Sequence, residues 1–294
     1  MIITTEGIVL RQRKIANNRR MVVLFTKQYG KLSAGTSANE KSRSKAALAL
    51  RPFTYAEYDI FKGREAYSIN SAQVNRSFYS IGEDIDRFMN ASAFIEYLDK
   101  VLEEGVPAPK LFDLSLDFLQ SVSECRGETD TLLYAFIVKT FRMLGVAPEL
   151  SCCVNCGKSP ENFGGIFKIF SVSGGGIICP DCAGEEKREA DSLLYRPDFD
   201  IINVFRYFES KPIKTFEKVD LKPEVRSEVR EIPFPKSEAC GLMLKRSSNW
   251  SRQSTESAQI SDGESQSTAL QVPAWTPSAA IILTAATSLL KKNT

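Results

Sequence analysis

The stretches Cys153-Val154-Asn155-Cys156-Gly157 and Cys179-Pro180-Asp181-Cys182 contain two pairs of cysteines, separated by 22 residues, at a spacing typical of metal-binding knuckles. Each pair places two thiolates one tight turn apart, so both can reach the same tetrahedral ion. Gly157 is typical of the end of a knuckle, because the backbone there needs φ > 0. Four sulfur ligands leave no open coordination position. The pattern therefore predicts a structural Zn²⁺ ion held by Cys153, Cys156, Cys179 and Cys182.

The other cysteines leave alternatives to this ligand set. Cys152 lies four residues before Cys156 and could replace Cys153, although the two-residue spacing mirrors the second pair. A redox or disulfide pair is the alternative to a metal site. Cys125 falls on a predicted helix, where a small buried side chain is expected, and Cys240 is expected to be unrelated to the site. Seven cysteines, four of them in metal spacing, favour a reducing compartment such as the cytoplasm.

The chain lacks histidine and a phosphate-binding loop, two features that common enzyme mechanisms need. None of the 294 residues is histidine, which excludes a His general base and the Ser-His-Asp and Cys-His systems. There is no GxxxxGK[ST] loop, and Gly174-Gly175-Gly176 is predicted to form a hairpin turn. We therefore expect a protein without enzymatic activity. A metal-dependent nuclease, which would need clustered carboxylates, is the less favoured alternative. No run of 18 apolar residues is present, so a membrane partner is not expected.

Positive charge is concentrated in the first quarter of the chain. Residues 1–76 contain 14 Lys and Arg against 5 Asp and Glu, a net charge of +9, whereas the remainder carries 24 against 31, a net charge of −7. Such a basic segment is typical of proteins that bind phosphate backbones. The candidate DNA contacts are Arg11, Arg13, Lys14, Arg19, Arg20, Lys27, Lys31, Lys41, Arg43, Lys45 and Arg51.

Short runs of β-branched and aromatic residues in the same segment predict a small β-barrel. Five or six short strands with no long helix suggest that the barrel is closed. A basic barrel with exposed Phe and Tyr suits single-stranded nucleic acid, which needs both a phosphate track and faces for base stacking. The predicted strands are Ile2–Thr5, Glu6–Leu10, Met21–Thr26, Gly30–Ala34, Phe53–Phe61 and Ala66–Ile69.

From residue 81 apolar residues recur every three or four positions, which predicts amphipathic helices packed as a bundle. The predicted helices cover 81–102, 111–122, 129–144 and 197–209. The fold class is therefore α+β. The expected domains are a barrel at 1–78, a helical domain in two parts at 79–150 and 185–232, and the four-cysteine module at 151–184.

The end of the chain departs from this pattern. Pro233 and Pro235 break any helix that continues past Glu231. Residues 247–271 are rich in Ser, Thr and Gln with few apolar residues, which is typical of disorder. Residues 233–294 are therefore expected to form an atypical, disordered tail. A change of reading frame near codon 232 and a lineage-specific tail would both explain it.

The motifs that stand out along the chain are Glu6–Leu10, Leu24–Lys31, Lys41–Lys45 leading to Leu50–Phe53, Cys153–Gly157 and Gly175–Cys182. The order of these parts resembles the RecO family of bacterial recombination mediators, over roughly residues 1–232. Each motif is weak by itself, and their order and spacing carry the specificity. The family's basic segment usually follows a glycine-rich approach, which here reads Gly35-Thr36-Ser37-Ala38-Asn39-Glu40.

The resemblance implies an N-terminal OB-fold, a helical domain and a four-cysteine zinc site. It also implies binding of single- and double-stranded DNA, annealing of complementary strands, and displacement of single-stranded DNA-binding protein so that RecA can load. The implied protein partners are RecR and often RecF, in the bacterial cytoplasm at the nucleoid. A zinc-ribbon nucleic-acid binder of transcription or translation is the alternative, but such a protein would not need three helices before its first knuckle.

Overall fold

A computed structural model of the chain describes residues 1–15, 19–36, 45–64, 66–163, 169–186, 194–196 and 201–222. The predictions for Lys41, Arg43, Cys240 and the tail at 233–294 lie outside these residues. Among the residues described, no helix combines the length and the apolar character that crossing a membrane would require.

The N-terminal segment forms a closed barrel of five strands in the order β1-β2-β3-β5-β4. Neighbouring strands are antiparallel except β3 and β5, which pair in parallel at Ala34↔Tyr67 and Gly35↔Ser68. A short helix, α1 (Lys45–Ala49), lies in the connection between β3 and β4. This topology is an OB-fold, as predicted. The strands are β1 (Ile2–Lys14), β2 (Arg20–Thr26), β3 (Gly30–Thr36), β4 (Thr54–Lys62) and β5 (Tyr67–Ser77).

The prediction of separate strands at Ile2–Thr5 and Glu6–Leu10 is wrong, because both runs belong to the single strand β1. The first half of β1 pairs with β4 and the second half pairs with β2. A β-bulge between Val9 and Arg11 lies in the part that pairs with β2. Such a bulge bends a strand and increases its twist, which allows one strand to serve both neighbours.

Two hydrophobic cores lie on opposite sides of the barrel wall. Leu24 belongs to the core inside the barrel, whereas its neighbours Val23 and Phe25 belong to a core outside it. This follows from the alternation of side chains along a strand. The outer core continues into the helices, where the rings of Phe25 and Phe112 meet edge to face with centroids 5.3 Å apart. Barrel and helices therefore share a core.

The helical domain contains the four predicted helices, with ends that differ by a few residues. The start of the fourth, at 197–200, lies outside the described residues. Asp84 caps the first helix by accepting a hydrogen bond from the Arg87 backbone N–H at 2.9 Å. The α-helices are α2 (Ile85–Val101), α3 (Pro109–Glu124), α4 (Asp130–Met143) and, after the cysteine module, α6 (Ile201–Ser210). Two 3₁₀ helices that the periodicity did not predict are Tyr79–Glu83 and Ile213–Lys218.

The cysteine module consists of short elements. A hairpin of β6 (Phe170–Ser171) and β7 (Gly176–Ile177) is joined by β8 (Leu194–Tyr195) in a three-stranded sheet. The predicted turn lies at Gly174-Gly175-Gly176, and Gly175 adopts φ +72°. Helix α5 (Pro180–Glu186) begins within the second knuckle and was not predicted, and a 3₁₀ helix covers Pro160–Phe163.

Candidate metal centre and nucleic-acid interface

The four cysteine sulfurs that the spacing singled out come together in the structure. The Sγ atoms of Cys153, Cys156, Cys179 and Cys182 all lie within 4.8 Å of one another. The Sγ atoms of Cys156 and Cys179 are 3.8 Å apart. Tetrahedral Zn²⁺ with bonds of about 2.3 Å requires sulfur–sulfur distances of about 3.8 Å. The donor set therefore fits zinc in both chemistry and geometry.

Backbone hydrogen bonds shape the two knuckles. In the first, Gly157 adopts φ +71° and its N–H donates to the Cys153 carbonyl at 2.9 Å. In the second, the Ala183 N–H donates to the Cys179 carbonyl at 2.9 Å, which is the first turn of α5. The knuckles are tied together by the Val154 N–H, which donates to the Ile177 carbonyl at 3.0 Å.

A close backbone approach explains the last glycine of the hairpin turn. A Cβ atom on Gly176 would lie 2.5 Å from the Glu149 carbonyl oxygen and 2.7 Å from Cγ1 of Val154. No real Cβ contact is that short, so a side chain at Gly176 would push the first knuckle away from the hairpin. The turn glycines therefore position the two cysteine pairs.

The thiols influence one another's protonation. Burial raises the pKa of the Cys153 thiol, but backbone N–H groups, that of Cys179 first among them, outweigh burial and lower this pKa to about 6. The Cys179 N–H lies 3.4 Å from the Cys153 sulfur. Burial, together with the neighbouring thiols, raises the pKa of Cys182. The four thiols therefore do not all lose their protons readily when they lie together. A divalent cation would favour the loss of all four protons, because it stabilises all four thiolates at once.

The other two described cysteines do not join this group. Cys152 is half-buried and is not among the four clustered sulfurs. Cys125 is buried at the end of α3, as predicted, with its sulfur 3.4 Å from the Glu217 carbonyl oxygen. Burial raises the pKa of the Cys125 thiol, which keeps the sulfur protonated.

Three of the eleven candidate DNA contacts are engaged with the helical domain. Arg11 Nε lies 2.9 Å from Oδ2 of Asp99 on α2. Lys31 Nζ donates to the Asp99 carbonyl oxygen at 2.7 Å and lies 3.8 Å from Oδ1. Lys27 Nζ lies 2.8 Å from Oδ1 of Asp113 on α3. We name Arg11, Lys27, Lys31, Asp99 and Asp113 the interdomain clamp.

The clamp has a backbone component and an electrostatic one. The Gly105 N–H donates to the Lys31 carbonyl at 2.9 Å. A Cβ on Gly30 would lie 2.1 Å from the Val106 carbonyl oxygen, so the turn before β3 fits closely against the α2–α3 connection. The hydrogen bond to Asp113 raises the pKa of Lys27, so that this ammonium group stays charged. The acidic partners were missed from sequence, since they lie far along the chain from the cations.

Four other candidates are exposed and have no ion-pair partner in the part of the chain that the structure describes. Arg13, Lys14, Arg19 and Arg51 are exposed, and none forms an ion pair within the described residues. We name these four residues the basic end of the barrel. Lys45 begins α1.

Hydrogen bonds bring the members of the basic end to one end of the barrel. Arg20, which is buried, donates from Nη1 to Gln12 Oε1 at 3.1 Å. The same Gln12 donates from Nε2 to the Leu50 carbonyl at 3.3 Å. The β1–β2 hairpin, which carries three of the four cations, is thereby linked to the segment that carries Arg51.

Together, the barrel, the helices and the thiolate cluster define a class of OB-fold proteins with a four-cysteine module. The family model for the N-terminal part of recombination protein O matches residues 1–78, and the model for its C-terminal part matches residues 82–233. These two matches cover most of the chain.

Curated relatives agree with this assignment. The chain is 31% identical over 232 residues to the DNA repair protein RecO of Alkaliphilus metalliredigens, covering 79% of this chain and 91% of the relative. It is 31% identical over 228 residues to that of Caldanaerobacter subterraneus subsp. tengcongensis, covering 78% and 88%. To the Bacillus pumilus protein of the same name it is 29% identical over 268 residues, covering 91% and 100%. The chain belongs to the RecO family.

Proposed function

We propose that this chain is a DNA repair and recombination mediator that binds single- and double-stranded DNA and anneals complementary strands. The observation that carries the proposal is the basic end of the barrel, where Arg13, Lys14, Arg19 and Arg51 are exposed without acidic partners in the described residues. Phosphate contacts from such cations bind DNA without reading its sequence, which suits a protein that acts on any sequence.

Strand annealing needs only these phosphate contacts and no covalent step. Two complementary strands repel each other through their phosphates, and a basic surface that binds both lowers this repulsion. Bases must stay unpaired until they meet, and an OB-fold holds single strands in that state. The chain has no histidine, and we propose that it is not an enzyme.

The family assignment supports a set of partners for this activity. We propose that the chain assists RecA loading onto DNA coated by single-stranded DNA-binding protein, together with RecR and, in a wider complex, RecF. We propose that it acts with them in the bacterial cytoplasm at the nucleoid. The barrel and helical domain are proposed as units at 1–78 and 79–232, with the module at 151–184 inserted in the second.

The metal is proposed to be a structural Zn²⁺ ion held by the four clustered cysteines. Four thiolates fill a tetrahedral shell and leave no position for a substrate. The ion would supply folding free energy to a module whose strands contain two residues each.

A strand-annealing assay tests the proposed function. Complementary oligonucleotides, bare or coated with single-stranded DNA-binding protein, are mixed with the purified full chain, once without ATP and Mg²⁺ and once with both. We expect duplex formation to accelerate on both substrates, with DNA that remains chemically intact. Strand cleavage or ATP hydrolysis that is lost on replacing one carboxylate of this chain would overturn the proposal, as would salt-independent binding.

A further inference from the structure

The junction between the barrel and the helical domain exposes an aromatic ring on a rigid backbone. Tyr79 is 70% exposed, the largest exposed fraction of any Phe or Tyr in the described part of the chain. Its neighbour Phe78 is buried, and the Phe78 N–H donates to the Phe53 carbonyl at 3.0 Å. The Ile81 N–H donates to the Phe78 carbonyl at 3.0 Å. Tyr79 is therefore held by its backbone while its ring stays open to solvent.

A cation is held on the ring of Phe78, the residue before Tyr79. The guanidinium carbon of Arg76 lies 5.3 Å from the centroid of the Phe78 ring, a cation–π contact that orders an exposed side chain. Arg76 forms no ion pair within the described residues. Its charge is therefore available to a phosphate, and Phe78 links its position to that of Tyr79.

The same hydrogen bonds connect this pair to the basic end of the barrel. Phe53, the backbone partner of Phe78, follows Arg51 by two residues. The Arg51 N–H donates to the Leu48 carbonyl at 3.1 Å, and Leu50 accepts from Gln12 of β1. Arg51 therefore lies between the β1–β2 hairpin on one side and Arg76 with Tyr79 on the other.

Acidic residues mark where this basic surface ends. Glu83, Asp84 and Asp86 follow Tyr79 in the chain and are exposed. One of these carboxylates, that of Asp84, is engaged as the cap of α2. Phosphates are repelled beyond Tyr79, whereas an uncharged base is not. Position and charge thus favour a base at Tyr79 and phosphates at Arg76 and Arg51.

We propose that single-stranded DNA runs from the basic end across Arg51 to Arg76 and stacks a base on Tyr79. This proposal rests on the proposed function and adds two residues to it. Only a single strand can use the ring, since bases in a duplex are already stacked on one another. Tyr79 therefore separates single-strand from duplex binding, whereas the arginines act on both.

Binding of oligothymidylate of about 16 nucleotides, the upper site size of an OB-fold, tests this with the full chain. A stacked base is worth a factor of about ten in affinity, so Tyr79→Ala should weaken binding by about ten-fold, and Tyr79→Phe should retain it. Arg76→Ala should reduce the slope of log K against log salt by about 0.7, the value for one phosphate contact. Tyr79→Ala should leave that slope and duplex affinity unchanged.

Tyr29 provides the matched control. It is 38% exposed and lies in the turn at the end of β2 opposite the β1–β2 hairpin. Tyr29→Ala should bind single strands like the unsubstituted chain. If Tyr79→Ala and Arg76→Ala match this control while the unsubstituted chain binds with a clear salt dependence, the proposed path of the single strand is overturned and the proposed function stands. If the unsubstituted chain shows no salt-dependent binding, the proposed function itself fails.

Discussion

The barrel and the cysteine module use polar groups in opposite ways. The barrel has strands of 7 to 13 residues around an apolar interior that contains Val22, Leu24 and Ile60. The module has strands of two residues, and its buried side chains include Cys153 and Cys179. Apolar burial can hold the barrel, whereas we propose that the module also needs an ion. The barrel can therefore place its charges at the surface, where we propose that they bind DNA.

A second contrast lies within the barrel itself. Cations of the interdomain clamp contact Asp99 and Asp113, whereas the basic end has no acidic partner in the described residues. Each cation of either group adds one positive charge to the segment. Charge alone thus does not identify a DNA contact, and the position of nearby acids decides which cations are available.

Loss of a metal ligand should have the largest effect. A structural Zn²⁺ supplies on the order of 10 kcal/mol of folding free energy, so Cys153→Ser and Cys182→Ser should lower both zinc content and soluble yield. In hydrogen exchange, chelation should remove protection from amides in 169–182 and leave the Leu24 amide of the barrel protected. This outcome would sharpen the contrast between the two regions.

Cys152→Ser is the matched control for those variants, since Cys152 is adjacent to a ligand but outside the cluster. It should keep the full zinc content. Equal zinc loss in Cys152→Ser and Cys153→Ser would show that the ligand set is wrong. A purified chain without metal, whose melting is unchanged by chelation, would contradict a structural ion.

These contrasts also explain what the sequence could reveal. Short runs of β-branched and aromatic residues predicted the barrel, and the spacing of four cysteines predicted a cluster that the structure contains. Helix α5 was not predicted because it has only seven residues and begins inside a knuckle. The contact between Lys31 and Asp99 joins residues 68 positions apart. No local pattern encodes such a pair, so the clamp could not be separated from the basic end.

Breaking the clamp should have an intermediate effect. The side chains of Lys31 and Asp99 are 13% and 22% exposed, so Asp99→Asn leaves a nearly buried ammonium group without its carboxylate. We expect the free energy of unfolding to fall by about 1–3 kcal/mol, measured from urea denaturation. Asp113→Asn is the control, since Asp113 is 58% exposed and an exposed ion pair contributes little to stability. An equal fall in the free energy of unfolding in both variants would show that the pair of Lys31 and Asp99 contributes no more than an exposed pair.

The salt dependence of single-strand binding tests the central claim most directly, with two double variants that each remove one Arg and one Lys. Arg13→Gln with Lys14→Gln acts on the basic end, and Arg11→Gln with Lys31→Gln acts on the clamp. At about 0.7 per phosphate contact, the first should reduce the slope of log K against log salt by about 1.4. The second should leave the slope unchanged while lowering stability. A slope that falls equally in both, or only in the clamp variant, would contradict the account.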